Sequence, residues 1–466
     1  MNNADQIKAL QALTEVAKER EQPRTGLRVA SVRVSPGSYF AAASVLTFAS
    51  VLLLRSQQDL FALATLAVAW MIVPILALTD RVEFDGESLS RRGPLPSFHR
   101  LIAGTRKRLR IVDCEKVETQ ALRTLRRGGR VRYRYRTQIL GKGAEFTFAS
   151  GGRRYREMVR HLFPLIHHAK LDLRTLELRD YLCEPSVLNH EVEALQLASA
   201  DVLDGATLDF KLGGKRPKTT AETDSASSAI DLQRATLLGS LANKLRIAGR
   251  LNEAREAFRR ALIVLPSNAR LIFEFARLLR SQAGSLGDAK LLLRSRAALR
   301  LSAMRAGDEP ELLALVGESF LEWGETTRAH NSFQKAIDLD PANFRARMGL
   351  ANLALREGKL AHVIHQYRDA ARAALEKALA GYARREADYY ARLNDDDDYL
   401  TSELRRINWL QHALRVRRLA ARVTNASILI ALIVPYVDPG VAGICWSLAS
   451  SSLAAWVFSL FAIKYL

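Results

Sequence analysis

The sequence predicts a multidomain membrane protein. Two transmembrane helical hairpins close its ends, a small mostly β domain with a C-terminal helix follows the first, and an all-α repeat solenoid precedes the second. Three observations carry this. Uncharged apolar runs occupy 38–54, 60–78, 423–437 and 441–463. Between 79 and 170, polar and apolar residues alternate with the period of two that belongs to strands. From 235 onward, small, aromatic and proline residues recur at fixed spacing.

The first apolar pair fills 38–78 and is joined by "RSQQD"; the second fills 423–463 and is joined at "DPG". A bilayer needs ~20 apolar residues per helix, so the second and fourth runs fit well, the first is slightly short and the third clearly short. A half-buried helix that never crosses is the alternative for the third. A signal peptide is the alternative for the first, but a 37-residue lead precedes it and another apolar run follows at once. Lys and Arg set the orientation. Six lie in 1–37, expected as a basic, partly helical arm, and Arg405, Arg406, Arg415, Arg417, Arg418 and Arg422 precede the second pair, while the two turns hold one and none. Positive charge stays on the cytoplasmic side, so both termini and everything from 79 to 422 are expected there.

The chain of 466 residues carries a net charge of +20 and a pI near 10.1, which calls for an anionic partner. Its three cysteines, Cys114, Cys183 and Cys445, are far apart, which suits a reducing compartment and excludes a disulfide framework or zinc ribbon. Residues 79–170 are the charge source, with 22 Lys and Arg against 9 Asp and Glu. Within them "RVRYRYRTQIL" alternates, so Arg130, Arg132, Arg134 and Arg136 share one face of a strand and Val131, Tyr133, Tyr135 and Thr137 the other. Asp85-Gly86 and Gly128-Gly129 sit at hairpin positions. "RRYREMVRHLFPLI" then turns helical, burying Tyr155, Met158, Val159 and Leu162. Strands closed by one amphipathic helix, directly after a membrane hairpin, resemble the pleckstrin-homology-like domains of bacterial membrane proteins. The resemblance implies a bacterial inner membrane and gives the four arginines an anionic phospholipid surface to meet. A solvated face is the plain alternative. Nucleic acid fits poorly, because the aromatics lie on the face opposite the arginines.

Residues 171–234 read as a helical connector and then a flexible linker, "KLGGKRPKTTAETDSASSA", over 211–229. In 235–377, Gly249, Ala254, Phe258, Ala261 and Pro266 repeat as Gly324, Ala329, Phe333, Ala336 and Pro341, and Gly358, Val363, Tyr367 and Ala370 follow 34 residues later. This resembles the tetratricopeptide repeat, a helix–turn–helix unit in which small residues let the helices approach and the aromatic fills the gap. About four units are expected; the second, 269–303, is degenerate because the glycine register is lost. The resemblance implies a protein or peptide partner on the concave face of the first helices. That face is expected to present Asn243, Arg246, Arg270, Phe273, Arg277, Arg280, Arg345, Asn352 and Arg356. Glu311, Glu318 and Glu322 on the same face set a rival, in which carboxylates neutralise the arginines internally. Residues 378–422 read as a long helix broken near Asp395–Asp398, whose four carboxylates suit a solvated break better than a cation site.

No HExxH, GxSxG, Walker or Cys/His ligand set occurs, so no catalytic residue, metal or cofactor is expected. The expected function is a non-enzymatic, membrane-anchored adaptor. Two alternatives stand beside it: a subunit of an envelope transport or polysaccharide-export complex, and an enzyme with no recognisable motif.

Overall fold

The structure, a computed structural model, describes residues 30–34, 37–93, 108–125, 131–142, 144–150, 152–197, 225–433 and 439–465. The expected arm up to residue 29, the glycine turn at 128–129, Arg130 and most of the linker lie outside the described residues. The chain divides into two units.

The first unit opens with two sheets. Strands β1 (Ala30–Arg33), β2 (Arg81–Phe84), β3 (Ser88–Arg92) and β4 (Arg108–Arg110) lie in that order in one; β5 (Lys116–Leu125), β6 (Val131–Gly141) and β7 (Ala144–Ser150) form the other. β1 corrects the expected boundary of the arm. Ala30 and Val32 are buried while Arg33 is exposed, the period-two pattern of a strand, so 30–33 belong to the sheet. Segment 37–79 is therefore inserted in the sequence between two neighbouring strands. Asp85-Gly86 makes the expected turn: Gly86 takes φ +96°, and Asp85 Oδ1 accepts from the backbone of Glu87 and Ser88.

β6 is the middle strand of the second sheet, antiparallel to both neighbours. Tyr135, Thr137 and Ile139 are buried, Arg134 and Arg136 exposed, as the alternation requires. Helix α3 (Arg153–Leu162) closes the module by burying Tyr155, Met158, Val159 and Leu162. The Tyr155 hydroxyl lies 2.7 Å from Thr137 Oγ1, and Thr137 meets Thr119 of β5 at 3.1 Å.

Helices α4 (Leu173–Tyr181) and α5 (Pro185–Ala194) follow. Eight helices then pack in pairs: α6 (Ser225–Ala248) with α7 (Leu251–Val264), α8 (Ala269–Leu286) with α9 (Ala289–Arg305), α10 (Pro310–Glu322) with α11 (Thr326–Leu339), and α12 (Phe344–Arg356) with α13 (Leu360–Ala373). The last residues of the expected linker, 225–229, already belong to α6. Each first helix ends at a left-handed glycine, Gly249, Gly287, Gly324 or Gly358, with φ from +69° to +84°. The second pair thus keeps its glycine in a displaced position, because α8 has 18 residues where α10 and α12 have 13. Phe258, Phe333 and Tyr367 are buried between helices, beside Ala254, Ala261, Ala329, Ala336 and Ala370. A Cβ on Gly317 or Gly349 would stand 2.6 or 2.4 Å from the Phe333 ring, so both glycines are needed for that ring to enter. α14 (Lys377–Asp395) continues from the array.

In the second unit, α1 (Gly37–Arg55) turns into α2 (Asp59–Thr79), and α15 (Asp397–Ile433) packs on α16 (Pro439–Tyr465). Ser50 Oγ donates to the Ala62 carbonyl, Trp70 Nε1 to Thr47 Oγ1, and Tyr39 OH to Asp80 Oδ2. A π-type turn at Val68–Ile72 precedes Pro74, whose missing N–H leaves the helix one bond short there. Only α2 is long and apolar enough to cross a membrane among the described residues; Ala42–Leu54 and Gly443–Ser459 are shorter apolar stretches. The expected break is narrower than the four aspartates: it falls at Asp396 alone, between α14 and α15, where Asp396 accepts from the Tyr399 amide at the start of the new helix.

Candidate functional site

The first helices of the four pairs, α6, α8, α10 and α12, make one face of the array, and the chain's own segment 168–181 lies on it. The segment is fastened at three levels. At its start, Arg345 of α12 donates to the carbonyls of His168 and Leu171 at 3.0 and 2.7 Å, and bonds Glu318 of α10 with both carboxylate oxygens 2.8 Å away. Lys170, 4% exposed, pairs with Glu376. At the N-terminus of α4, Asp172 Oδ1 accepts from the amides of Thr175 and Thr119, while the Asp172 amide bonds the Val117 carbonyl, which ties α4 to β5. In the middle of α4, Glu177 receives Arg246 of α6 at 2.8 Å and also Arg277 of α8.

Glu177 shows what this costs and what offsets it. Burial by itself would push its carboxyl up; the guanidinium groups of Arg246 and Arg277, with Arg174 nearby, outweigh this and hold it at about 2. Arg277 also donates to Ser319 Oγ at 3.2 Å and lies 5.8 Å from the Phe273 ring centroid. Glu274, one turn before Arg277, is held differently. Burial raises its carboxyl above the ordinary range, and Arg270, Asn243 and Tyr181 only partly oppose that. Its oxygens accept from Asn243 Nδ2 at 2.7 Å and from Tyr181 OH at 3.0 Å, while Arg270 stands 3.8 Å away.

The residues expected on an open binding face therefore divide. Asn243, Arg246, Phe273, Arg277 and Arg345 are buried beneath or beside 168–181, so these five are covered by the chain itself instead of being presented on an open face. Arg280 is half-buried and stacks on Trp323 at 5.4 Å. Arg270, Asn352 and Arg356 are exposed, with Arg356 donating to the Leu321 carbonyl at 2.9 Å. Internal neutralisation does occur, but Arg277 takes its carboxylate from Glu177 in the connector, and only Glu318 of the three rival glutamates pairs with a concave arginine, Arg345. Glu177, Tyr181 and Glu274 escaped the sequence reading because pairings 69 to 100 residues apart have no local signature.

Two openings flank α4. One is a cavity of about 70 Å³ against the sheet, lined by Tyr133, Arg174, Glu177, Arg246, Arg280 and Trp323 among others. The other is a groove of about 290 Å³ on the opposite side, with Leu173, Leu176, Phe273, Leu312 and Leu315 beneath and Arg179, Arg270, Glu309 and Glu311 around it. On the β module, Arg134 and Arg136 stand exposed, and Arg132 belongs to the same strand, β6. Among the described residues no three His, Cys, Asp or Glu side chains gather as a metal site, and the Cys114 thiol is pushed up to about 12 by burial. No protein-family model and no curated protein matches the chain.

Proposed function

We propose that the protein is a non-enzymatic, membrane-anchored adaptor of the bacterial inner membrane, with both termini and both folded modules cytoplasmic. In this reading the paired helices are tetratricopeptide repeats, the two-sheet module is pleckstrin-homology-like, and α1–α2 and α15–α16 are the membrane hairpins. A protein partner is recruited by an extended peptide, and the exposed arginines of β6 rest on anionic phospholipid.

The observation that carries the reading is the groove beside α4. It joins an apolar floor to a rim of both charges, which suits a peptide with one apolar anchor and flanking polar groups. It also survives on a face whose other central positions the chain itself fills. A photo-crosslinking residue at Arg270 of the full chain, in native membranes, should trap one discrete partner. The same residue at Lys335, exposed on α11, should not. Equal trapping at both positions, or none at 270, would remove the groove as the docking site.

A further inference from the structure

The cavity on the sheet side of α4 carries more positive charge than the chain neutralises. Four guanidinium groups line it, Arg174, Arg246, Arg277 and Arg280, against two carboxylates, Glu177 and Glu322. Glu177 is already taken by Arg246 and Arg277, and Glu322 is exposed. Among the described residues, Arg174 and Arg280 have no carboxylate within ion-pair distance; Arg280 lies against the Trp323 ring. Arginine cannot shed its proton to relieve the imbalance, and two unmatched charges in a partly enclosed space attract an anion more strongly than they would in water.

We propose that this cavity binds a phosphate group, either free phosphate or a phosphate monoester. Three features choose it. The surplus is two charges, which a dianion balances and a single carboxylate does not. The space, about 70 Å³, suits a tetrahedral oxyanion and excludes a peptide chain. Guanidinium groups from different helices line it, Arg174 on α4 and Arg280 on α8, and guanidinium is the side chain whose paired N–H groups match phosphate oxygens. The site would couple α4 to α8 through the ligand. Glu177 lines both this cavity and the peptide groove, but Arg174 and Arg280 line the cavity alone, and the proposal does not depend on the adaptor reading.

The test uses the full chain purified in a neutral detergent, with inorganic phosphate titrated against sodium chloride at equal ionic strength. Tryptophan emission reports the site through Trp323, against which Arg280 lies, and a Trp323→Phe control removes the contribution of the other four tryptophans. A saturable emission change and a rise in melting temperature with phosphate are expected. Arg280→Gln should weaken binding about tenfold or more while leaving the phosphate-free melting temperature close to the parent's, with binding followed by calorimetry since the reporter contact is altered; Arg174→Gln, which also removes a charge from beside Glu177, should weaken binding as much when measured at a temperature where the variant is fully folded. No effect beyond chloride overturns the proposal, as does binding that both variants retain. Competition by glycerol 3-phosphate, or by phosphatidic acid in mixed micelles with phosphatidylglycerol as control, then tells a soluble monoester from a lipid headgroup.

Discussion

The two flanks of α4 hold buried carboxylates in opposite ways. On the sheet side, Glu177 sits among Arg246, Arg277 and Arg174, and its carboxyl stays ionised down to about 2. On the groove side, Glu274 has one more distant arginine, an amide and a phenol for company, and its carboxyl is raised. Burial pushes both upward, so the number of close guanidinium groups decides the difference. The centre with two close arginines fixes α4 in place; the one whose carboxyl is raised by burial borders the open groove.

The sharpest way to break this comparison is Glu177→Ala. It leaves Arg246 and Arg277 buried without their carboxylate, and about 3–5 kcal/mol of stability should go. Faster hydrogen exchange across 173–181 in the full chain reads this locally. Unchanged exchange there would mean that the ion pairs do not hold α4.

Acid gives the next effect. A carboxyl lowered from 4.5 to about 2 contributes stability that is complete above 4.5 and is lost as pH falls from 4.5 through 2, in all about 3 kcal/mol. Glu274 has the opposite sign: with its folded value raised, stability grows as pH falls through that value towards 4.5. Urea unfolding between pH 6 and 2 should therefore show a steep acid limb in the parent that flattens in Glu177→Gln.

Glu274→Gln should cost about 1 kcal/mol or less, because the amide oxygen can still accept from Asn243 while its NH2 donates to the Tyr181 hydroxyl, which can turn from donor to acceptor. A loss as large as that from Glu177→Ala would erase the distinction between the flanks. The smallest effect on stability belongs to Arg134→Gln with Arg136→Gln. Both side chains are exposed, so unfolding should shift by less than about 0.5 kcal/mol. Flotation of the full chain, reconstituted in vesicles of neutral lipid, against added anionic vesicles should drop all the same, and drop further as salt rises. Flotation that ignores the substitutions would leave that face simply solvated.

What could be read from the sequence follows the range of the interactions. The face alternation of β6 and the small-aromatic pattern of the helix pairs are local, and Tyr135, Thr137, Phe333 and Tyr367 are buried where spacing placed them. Gly287 was missed because five extra residues in α8 carry it out of register while it still ends the helix. β1 was missed because four residues, cut off from their sheet by the inserted helices, are too few to show a period. The seating of α4 was missed for a stronger reason. An arginine-rich face reads the same whether its carboxylate arrives on another molecule or on the chain's own connector.

The position of β1 settles a question of counting. Because β1 and β2 are adjacent in one sheet, residues at either end of the intervening segment stand about one strand spacing apart, ~5 Å. Everything from 37 to 79 must leave and come back to the same place. Any barrier that this excursion traverses is traversed an even number of times, zero or two. The strand pair thus acts as a parity lock: a single crossing by α2 alone would tear β1 from its neighbour, whatever the flanking charges favour.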